Sequence, residues 1–305
     1  MIGVHPIEVR RQFRNGVELG LAQFAIVIGV RGLESLERDR PFVANVAAAA
    51  GDQQQGDRDP ADAERQELLR ELVRAVEPIR HELAQLAARN RDPEALAALG
   101  FAVVAIDGRG SAGRSKAFHD HSYGDLGNAG ALDDHIAAIR ELGQRYPWLD
   151  TARVGITGQS AGAFAAARAV LQYPDFYSVA VAVSGNHDNA LNLAMWAEHY
   201  HGDLSAEGQA AISNTTLAAN LKGKLLLIHG ELDDNAHPYM TMRLADALIK
   251  ADKDFDLIMI PGAEHSLYGW LHYSLRRTWD YFVRHLHGTE PPGYRLQPLL
   301  LPSLG

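Results

Sequence analysis

The stretch from Arg153 to Leu171 leaves the backbone little choice. An apolar run, Arg153-Val154-Gly155-Ile156-Thr157, meets Gly158-Gln159-Ser160-Ala161-Gly162 and passes at once into Ala163-Phe164-Ala165-Ala166-Ala167-Arg168-Ala169-Val170-Leu171. The first segment has the composition of a buried strand and the last that of a buried helix. Glycine two residues either side of the serine permits a turn sharp enough to join them, and such a turn lifts the serine hydroxyl clear of the sheet. G-x-S-x-G alone is weak, because glycine and serine at about 7% each produce it by chance in roughly one chain in ten of this length. Its flanks give it weight.

The same alternation runs through the rest of the chain. Phe101 to Ile106, Arg153 to Thr157, Val179 to Val183, Lys224 to Ile228 and Phe255 to Ile260 read as strands. Leu132 to Arg145, Ala161 to Gln172 and Pro238 to Ala251 read as helices between them, and Leu271 to His287 closes the series. Asp92-Pro93 caps a short helix that stops at Gly100. Strands separated by helices predict an α/β domain over residues 91–290, with a mostly parallel central sheet and helices on both faces. Residues 1–60 are the least legible part, with one candidate strand, Ala22 to Gly29, and a polar connector from Gly51 to Pro60. Over residues 61–90 Leu68, Leu69, Leu72, Val73, Val76, Ile79, Leu83 and Leu86 recur at helical spacing, bent at Pro78. That helix is either a lid or a contact surface, in the second case joining two subunits as a homo-oligomer. Residues 291–305 read as a proline-rich surface tail.

A formal charge of -9 with no basic face argues against nucleic acid or an anionic membrane as partner. The absence of cysteine excludes disulfides, thiolate metal sites and a cysteine nucleophile. No apolar run of eighteen residues suggests a membrane span. Arg10 to Arg14 before the apolar Leu21 to Val30 looks faintly like an export leader, but Glu18 interrupts it and no cleavage site follows. A cytoplasmic location is expected, although a cysteine-free chain suits the periplasm or the outside as well.

A serine hydroxyl attacks only when a base takes its proton, and that base needs a carboxylate to hold its tautomer and stabilise the imidazolium. Two strands end in loops carrying the missing pair, in the order serine, acid, histidine that accompanies this kind of turn. After Lys224 to Ile228 comes His229-Gly230-Glu231-Leu232-Asp233-Asp234-Asn235-Ala236-His237, and after Phe255 to Ile260 comes Pro261-Gly262-Ala263-Glu264-His265-Ser266. Spacing selects His265 over His237 and His272 but leaves Asp233 and Asp234 level. The oxyanion of an acyl-transfer reaction needs two donors, one being the backbone N–H of Ala161. Two other motifs compete for attention. Gly108-Arg109-Gly110-Ser111-Ala112-Gly113 spells G-x-G-x-x-G after a strand, with Asp125 and Asp133 downstream, but the glycine-rich sequence that follows does not open a helix as a dinucleotide site requires. His119-Asp120-His121 lacks a third ligand at metal-binding spacing and reads as a hydrogen-bonded loop pair.

The segments Phe101 to Gly110, Gly113 to Asp120, the Ser160 turn, Ser184 to Asp188, His229 to His237, Glu264-His265 and Asp280 to His285 together resemble the catalytic domain of prolyl oligopeptidase family serine peptidases, nearest the dipeptidyl-peptidase-IV branch. The resemblance covers roughly residues 90 to 295 and implies an α/β-hydrolase fold. It implies Asp233 as the acid, Asn235 as a group that helps hold the substrate carbonyl, and Trp196 as an aromatic wall of the pocket. Several features depart from the family pattern. Ala163 stands where a second glycine is usual, Asn192 where another aromatic is usual, and no tyrosine-glycine-glycine-proline segment supplies the second oxyanion donor. Gly29-Val30-Arg31-Gly32, after a strand, is the candidate replacement. The family's N-terminal β-propeller, with the acidic residues that bind a free amino terminus, has no counterpart here. The resemblance therefore implies a serine hydrolase, a peptidase cleaving short peptides through an acyl-enzyme without metal or organic cofactor. Ester hydrolysis on the same residues and a hydrolase-like binding module are the alternatives.

Overall fold

The computed structural model describes residues 24–30, 42–46, 92–106, 108–111, 115–128 and 131–296. The predicted connector at Gly51 to Pro60, the helix over 61–90 and the leader-like segment lie outside these residues, as does the tail beyond residue 296.

The strands are β1 (Phe24–Val30), β2 (Phe42–Val46), β3 (Ala102–Ile106), β4 (Leu149–Gln159), β5 (Tyr177–Val183), β6 (Lys224–Gly230) and β7 (Asp256–Ile260). The helices are α1 (Asp92–Ala98), α2 (Lys116–Asp120), α3 (Leu132–Arg145), α4 (Ala161–Gln172), α5 (Ala194–His201), α6 (Ala206–Ala211), α7 (Pro238–Lys250) and α8 (Leu271–Phe282). The α8 helix continues into a π turn, Val283–His287, which lays His287 on Phe101 with ring centroids 3.8 Å apart. All the predicted strands and helices within the described residues are present. Four of these strands and helices had no clear forecast: β2, α2, α5 and α6, and His119 and Asp120, read as a loop pair, fall in α2. Five residues interrupted by Asn45 carry little periodicity, so β2 owes its order to the parallel ladder it forms with β3 from Phe42 opposite Ala102 to Val46 opposite Ile106.

Among the described residues the sheet runs β2-β3-β1-β4-β5-β6-β7. β4 through β7 are parallel, which makes their C-terminal ends one common edge. β1 is the exception, lying antiparallel between β3 and β4 with Phe24 opposite Gly158 and Val30 opposite Leu149.

Alternate residues of β1, β3, β5 and β6 enter two separate cores, as the pleat requires. Ile26, Ile28, Val104, Ala180, Ala182, Leu225 and Leu227 pack under α3, α4 and α7. Val27, Val103, Val179, Val181, Leu226 and Ile228 pack on the other face against Leu96 of α1 and Tyr281 and Phe282 of α8. α4 is buried from Gly162 to Leu171, so the segment behind the Ser160 turn is fixed by packing along almost its whole length. Tyr294, in the segment expected to be a surface tail, donates its hydroxyl hydrogen to Asp280 at 2.9 Å. No helix among the described residues is long and apolar enough to cross a membrane.

Candidate active site

Ser160 stands between β4 and α4 with φ 59° and ψ -121°, a conformation that side chains rarely adopt. Its amide donates to Val183 O at 2.9 Å, so the neighbouring strand holds the strained turn in place. Gly158 is required by close approach: a Cβ there would strike the backbone carbonyl of Gly162. Ala161 opens α4, so its N–H has no intrahelical carbonyl to bond and is free to serve as a donor at the turn.

The parallel strands β6 and β7 bring the other two groups to the same edge. His265 Nδ1 lies 2.8 Å from Asp233 Oδ2 and its Nε2 lies 3.0 Å from Ser160 Oγ. A carboxylate can only accept, so Nδ1 carries the proton and Nε2 is left to accept from the serine hydroxyl. The acid and base loops are bonded to each other: Glu231 N–H donates to Ile260 O at 3.0 Å and Leu232 N–H to Ala263 O at 2.9 Å. Gly230 makes that approach possible, since a Cβ there would run into the carbonyls of Ala263 and Glu264.

Asp233 is 2% exposed, and burial opposes its ionisation. Hydrogen bonds outweigh burial: His229 and His265 donate to Oδ2, and Asn235 and Ala236 N–H donate to Oδ1 at 3.0 and 2.8 Å. Together with the His265 charge they hold the carboxyl far below the usual carboxylate range. The choice that spacing left open is therefore made by geometry, since Asp233 meets the imidazole and Asp234 is exposed.

The pocket residues are less determined. Asn235 uses its N–H on Asp233 and is exposed on that loop. Trp196 sits on α5, with its ring 4.6 Å from that of Tyr200. Asn192 is engaged locally, donating to Asn189 Oδ1 at 3.2 Å and accepting from Leu193 N–H at 2.9 Å.

Three participants were not singled out by sequence. Gln159 Nε2 donates to His265 O at 3.2 Å and ties the base loop to the elbow. His229 contacts Asp233, and Thr241 contacts His229. Only the position of His229 before Gly230 could have hinted at its role. The competing motifs resolve into structural contacts. Arg109 of the G-x-G-x-x-G stretch forms a paired hydrogen bond with Asp134 and reaches Asp133 at 3.0 Å, anchoring the loop after β3 to α3. His119 and Asp120 belong to α2, and no group of three or more metal-ligating side chains converges among the described residues.

The structure corrects one expectation. Gly29 pairs with Asp150 and Val30 with Leu149, at the start of β4, whereas Ser160 follows its end. Because β1 is antiparallel, the chain leaving it emerges at the opposite edge of the sheet. Gly29 and Val30 therefore do not provide the second oxyanion donor, and Arg31 and Gly32 lie outside the described residues.

A mostly parallel sheet clad on both faces, with a serine on the turn after a central strand, is the α/β-hydrolase fold. The prolyl oligopeptidase family profile matches residues 88–289, and the chain belongs to that family of serine peptidases. It is 37% identical over 169 residues to dipeptidyl peptidase family member 1 of Caenorhabditis elegans, covering 54% of this chain and 21% of that protein. The crystal structure of Porphyromonas gingivalis dipeptidyl peptidase 4 superposes with a TM-score of 0.59 at 30% identity over 63% of this chain and 28% of that one. Pyrococcus horikoshii acylaminoacyl peptidase gives a TM-score of 0.59 at 23% identity, covering 67% of this chain and 36% of that one, a likeness of fold. The chain spans about a fifth to a quarter of the length of the curated relatives it matches.

Proposed function

We propose that the chain is a serine peptidase that cleaves short peptides through an acyl-enzyme. The observation that carries this reading is the unbroken series of contacts from Ser160 Oγ through His265 to Asp233, with gaps of 3.0 and 2.8 Å. Ser160 Oγ attacks the carbonyl carbon while its proton passes to His265 Nε2. Asp233 keeps the imidazole in the accepting tautomer and stabilises the imidazolium, and Ala161 N–H faces the developing oxyanion. Collapse breaks the C–N bond, and the amine leaves with the proton from His265. Water then attacks the Ser160 ester, giving its proton to His265, and the second collapse returns that proton to the serine. Asn235 and Trp196 are assigned to substrate contact.

The names of the relatives support a peptide substrate, and the extra length of those proteins keeps dipeptide release apart from this assignment. The test is labelling of Ser160 by a fluorophosphonate, followed by turnover of matched p-nitroanilides and p-nitrophenyl esters. Labelling abolished by Ser160→Ala, with turnover of both substrate sets, supports the peptidase. Turnover of esters alone moves the assignment to an esterase, and a folded chain that never labels makes it a binding module.

A further inference from the structure

His229 is the last residue but one of β6 and is fully buried, yet it takes no part in the steps above. Its ring is held at both nitrogens. Nε2 lies 2.8 Å from Ala236 O and 3.1 Å from Asp233 Oδ2, while Nδ1 lies 2.7 Å from Thr241 Oγ1. A carbonyl and a carboxylate both only accept, so Nε2 carries the hydrogen, and Nδ1 of the neutral ring accepts from the Thr241 hydroxyl. Thr241, also fully buried, sits within α7, whose first turn begins directly after the Asp233 loop. Ala236 O and Asp233 thus fix the tautomer of His229, and the Thr241 hydroxyl fixes its ring orientation by bonding the remaining nitrogen. The opposite tautomer would set an imidazole lone pair against two oxygen atoms.

Resting on the hydrolase reading, we propose that His229 is a positioning residue for the catalytic carboxylate, with its ring held in orientation by Thr241. It occupies the lone-pair direction of Asp233 Oδ2 that His265 does not use. The carboxylate is thereby fixed in rotation, and its Oδ2 is aimed at His265 Nδ1. The series of contacts then runs over five side chains, Thr241, His229, Asp233, His265 and Ser160, with the first two acting only through the third.

The experiment separates a positioning role from space-filling by changing Thr241, which is isosteric with valine and touches no substrate. In the full chain, Thr241→Val should lower kcat by up to about tenfold, the worth of one neutral hydrogen bond, with KM within about twofold of wild type. Thr241→Ser, which keeps the hydroxyl, should restore kcat to within about twofold. Histidine-selective 15N NMR on the full-length Ser160→Ala chain should show His229 protonated at Nε2 and not at Nδ1, and Thr241→Val in that background should shift the Nδ1 signal that loses its hydrogen bond. Equal rates for Thr241→Val and wild type, or equal losses for Thr241→Val and Thr241→Ser, overturn the proposal. So does an Nδ1-protonated His229, whatever the activity. A wild-type chain that neither turns over substrate nor labels at Ser160 instead overturns the hydrolase reading on which the role depends.

Discussion

The two halves of the sheet follow different rules. From β4 to β7 every strand is parallel, and the loops after β4, β6 and β7 deliver Ser160, Asp233 and His265 to one edge from 105 residues of chain. From β2 to β1 the direction reverses once, and that single reversal sends Gly29 and Val30 to the far edge. β1 is buried as well as a parallel strand, since Ile26, Val27 and Ile28 are as inaccessible as Leu225, Leu226 and Leu227 of β6. Burial therefore builds the fold on either side, but strand direction decides which side carries chemistry. The family match crosses this division, because residues 88–289 include β3 along with β4 through β7 and neither β1 nor β2.

The strongest test of this contrast lies on the parallel side. Ser160→Ala and His265→Ala should each lower kcat by about a millionfold, read by burst-phase and steady-state kinetics on an activated substrate. Asp233→Asn should cost on the order of ten-thousandfold, because the asparagine amide sets the imidazole in the wrong tautomer. The exposed Asp234→Asn should stay within about threefold, as surface changes remote from the relay do. Equal losses at the two aspartates would break the assignment of roles. Since Asp233 is held well below the usual carboxylate range, it remains charged until the pH drops beneath that range. The acid limb of kcat should accordingly follow a single proton, and a slope of two in wild type would show Asp233 titrating with the imidazole.

Gly230→Ala sharpens the comparison at a smaller scale. The new methyl must push the carbonyls of Ala263 and Glu264 away, and with them the loop that holds His265. Displacing a reacting group by about 1 Å costs on the order of a hundredfold, so kcat should fall by that amount with an overpacking penalty of about 1–3 kcal/mol. Denaturant melts and kcat measured on the same preparation separate the two effects.

How far the sequence discloses this arrangement also divides along the sheet. Strand-helix alternation from Phe101 onward predicts the elements, because both faces are covered and each strand is a plain apolar run. The order serine, acid, histidine predicts which loops meet. Period and order carry no information about direction, so Ala22 to Gly29 is recognisable as a strand while its reversal is not. Register with β3 and β4 settles that, and register is a tertiary property. Asp233 and Asp234 are likewise indistinguishable as letters. One faces inward because its carboxylate receives two backbone N–H groups of its own loop, a geometry that spacing does not encode. His229 and Gln159 are silent for a similar reason, since each acts through a partner at least four residues away in a different environment.

Acid sensitivity should also belong to the catalytic half. His187 is fully buried after β5, where Asn214 links it to Phe164 of α4, and burial pushes its imidazole down to about 3. Between its ordinary value of 6.5 and about 3 the unfolded chain binds a proton that the folded chain refuses. Stability is then complete above pH 6.5 and declines as the pH falls through that window, by about 1.4 kcal/mol per pH unit for one proton. Urea melts from pH 7 to pH 4 on wild type and His187→Gln should show the slope in the first and a slope shallower by one proton in the second. Matching slopes would remove His187 as the cause.

The smallest effect is expected from the antiparallel side, and it tests the topology most directly. A methyl on Gly29 would lie 3.0 Å from Arg153 Nε and 3.1 Å from its Cβ and Cζ. Arg153 is held by Asp150 at 2.7 Å and by Leu286 O at 3.1 Å, so Gly29→Ala should strain those bonds and lower stability by about 1 kcal/mol. Because the strand ends at the edge away from Ser160, kcat per titrated active site should change by less than about twofold, the ordinary result for a change with no contact to the reacting groups. Had this loop supplied an oxyanion donor, shifting its backbone would cost on the order of a hundredfold or more in kcat. Thermal denaturation beside active-site-titrated kcat tells the cases apart: a small loss of stability at full rate means that β1 serves the fold alone, and a large loss of rate means that the reversal of β1 has been misread.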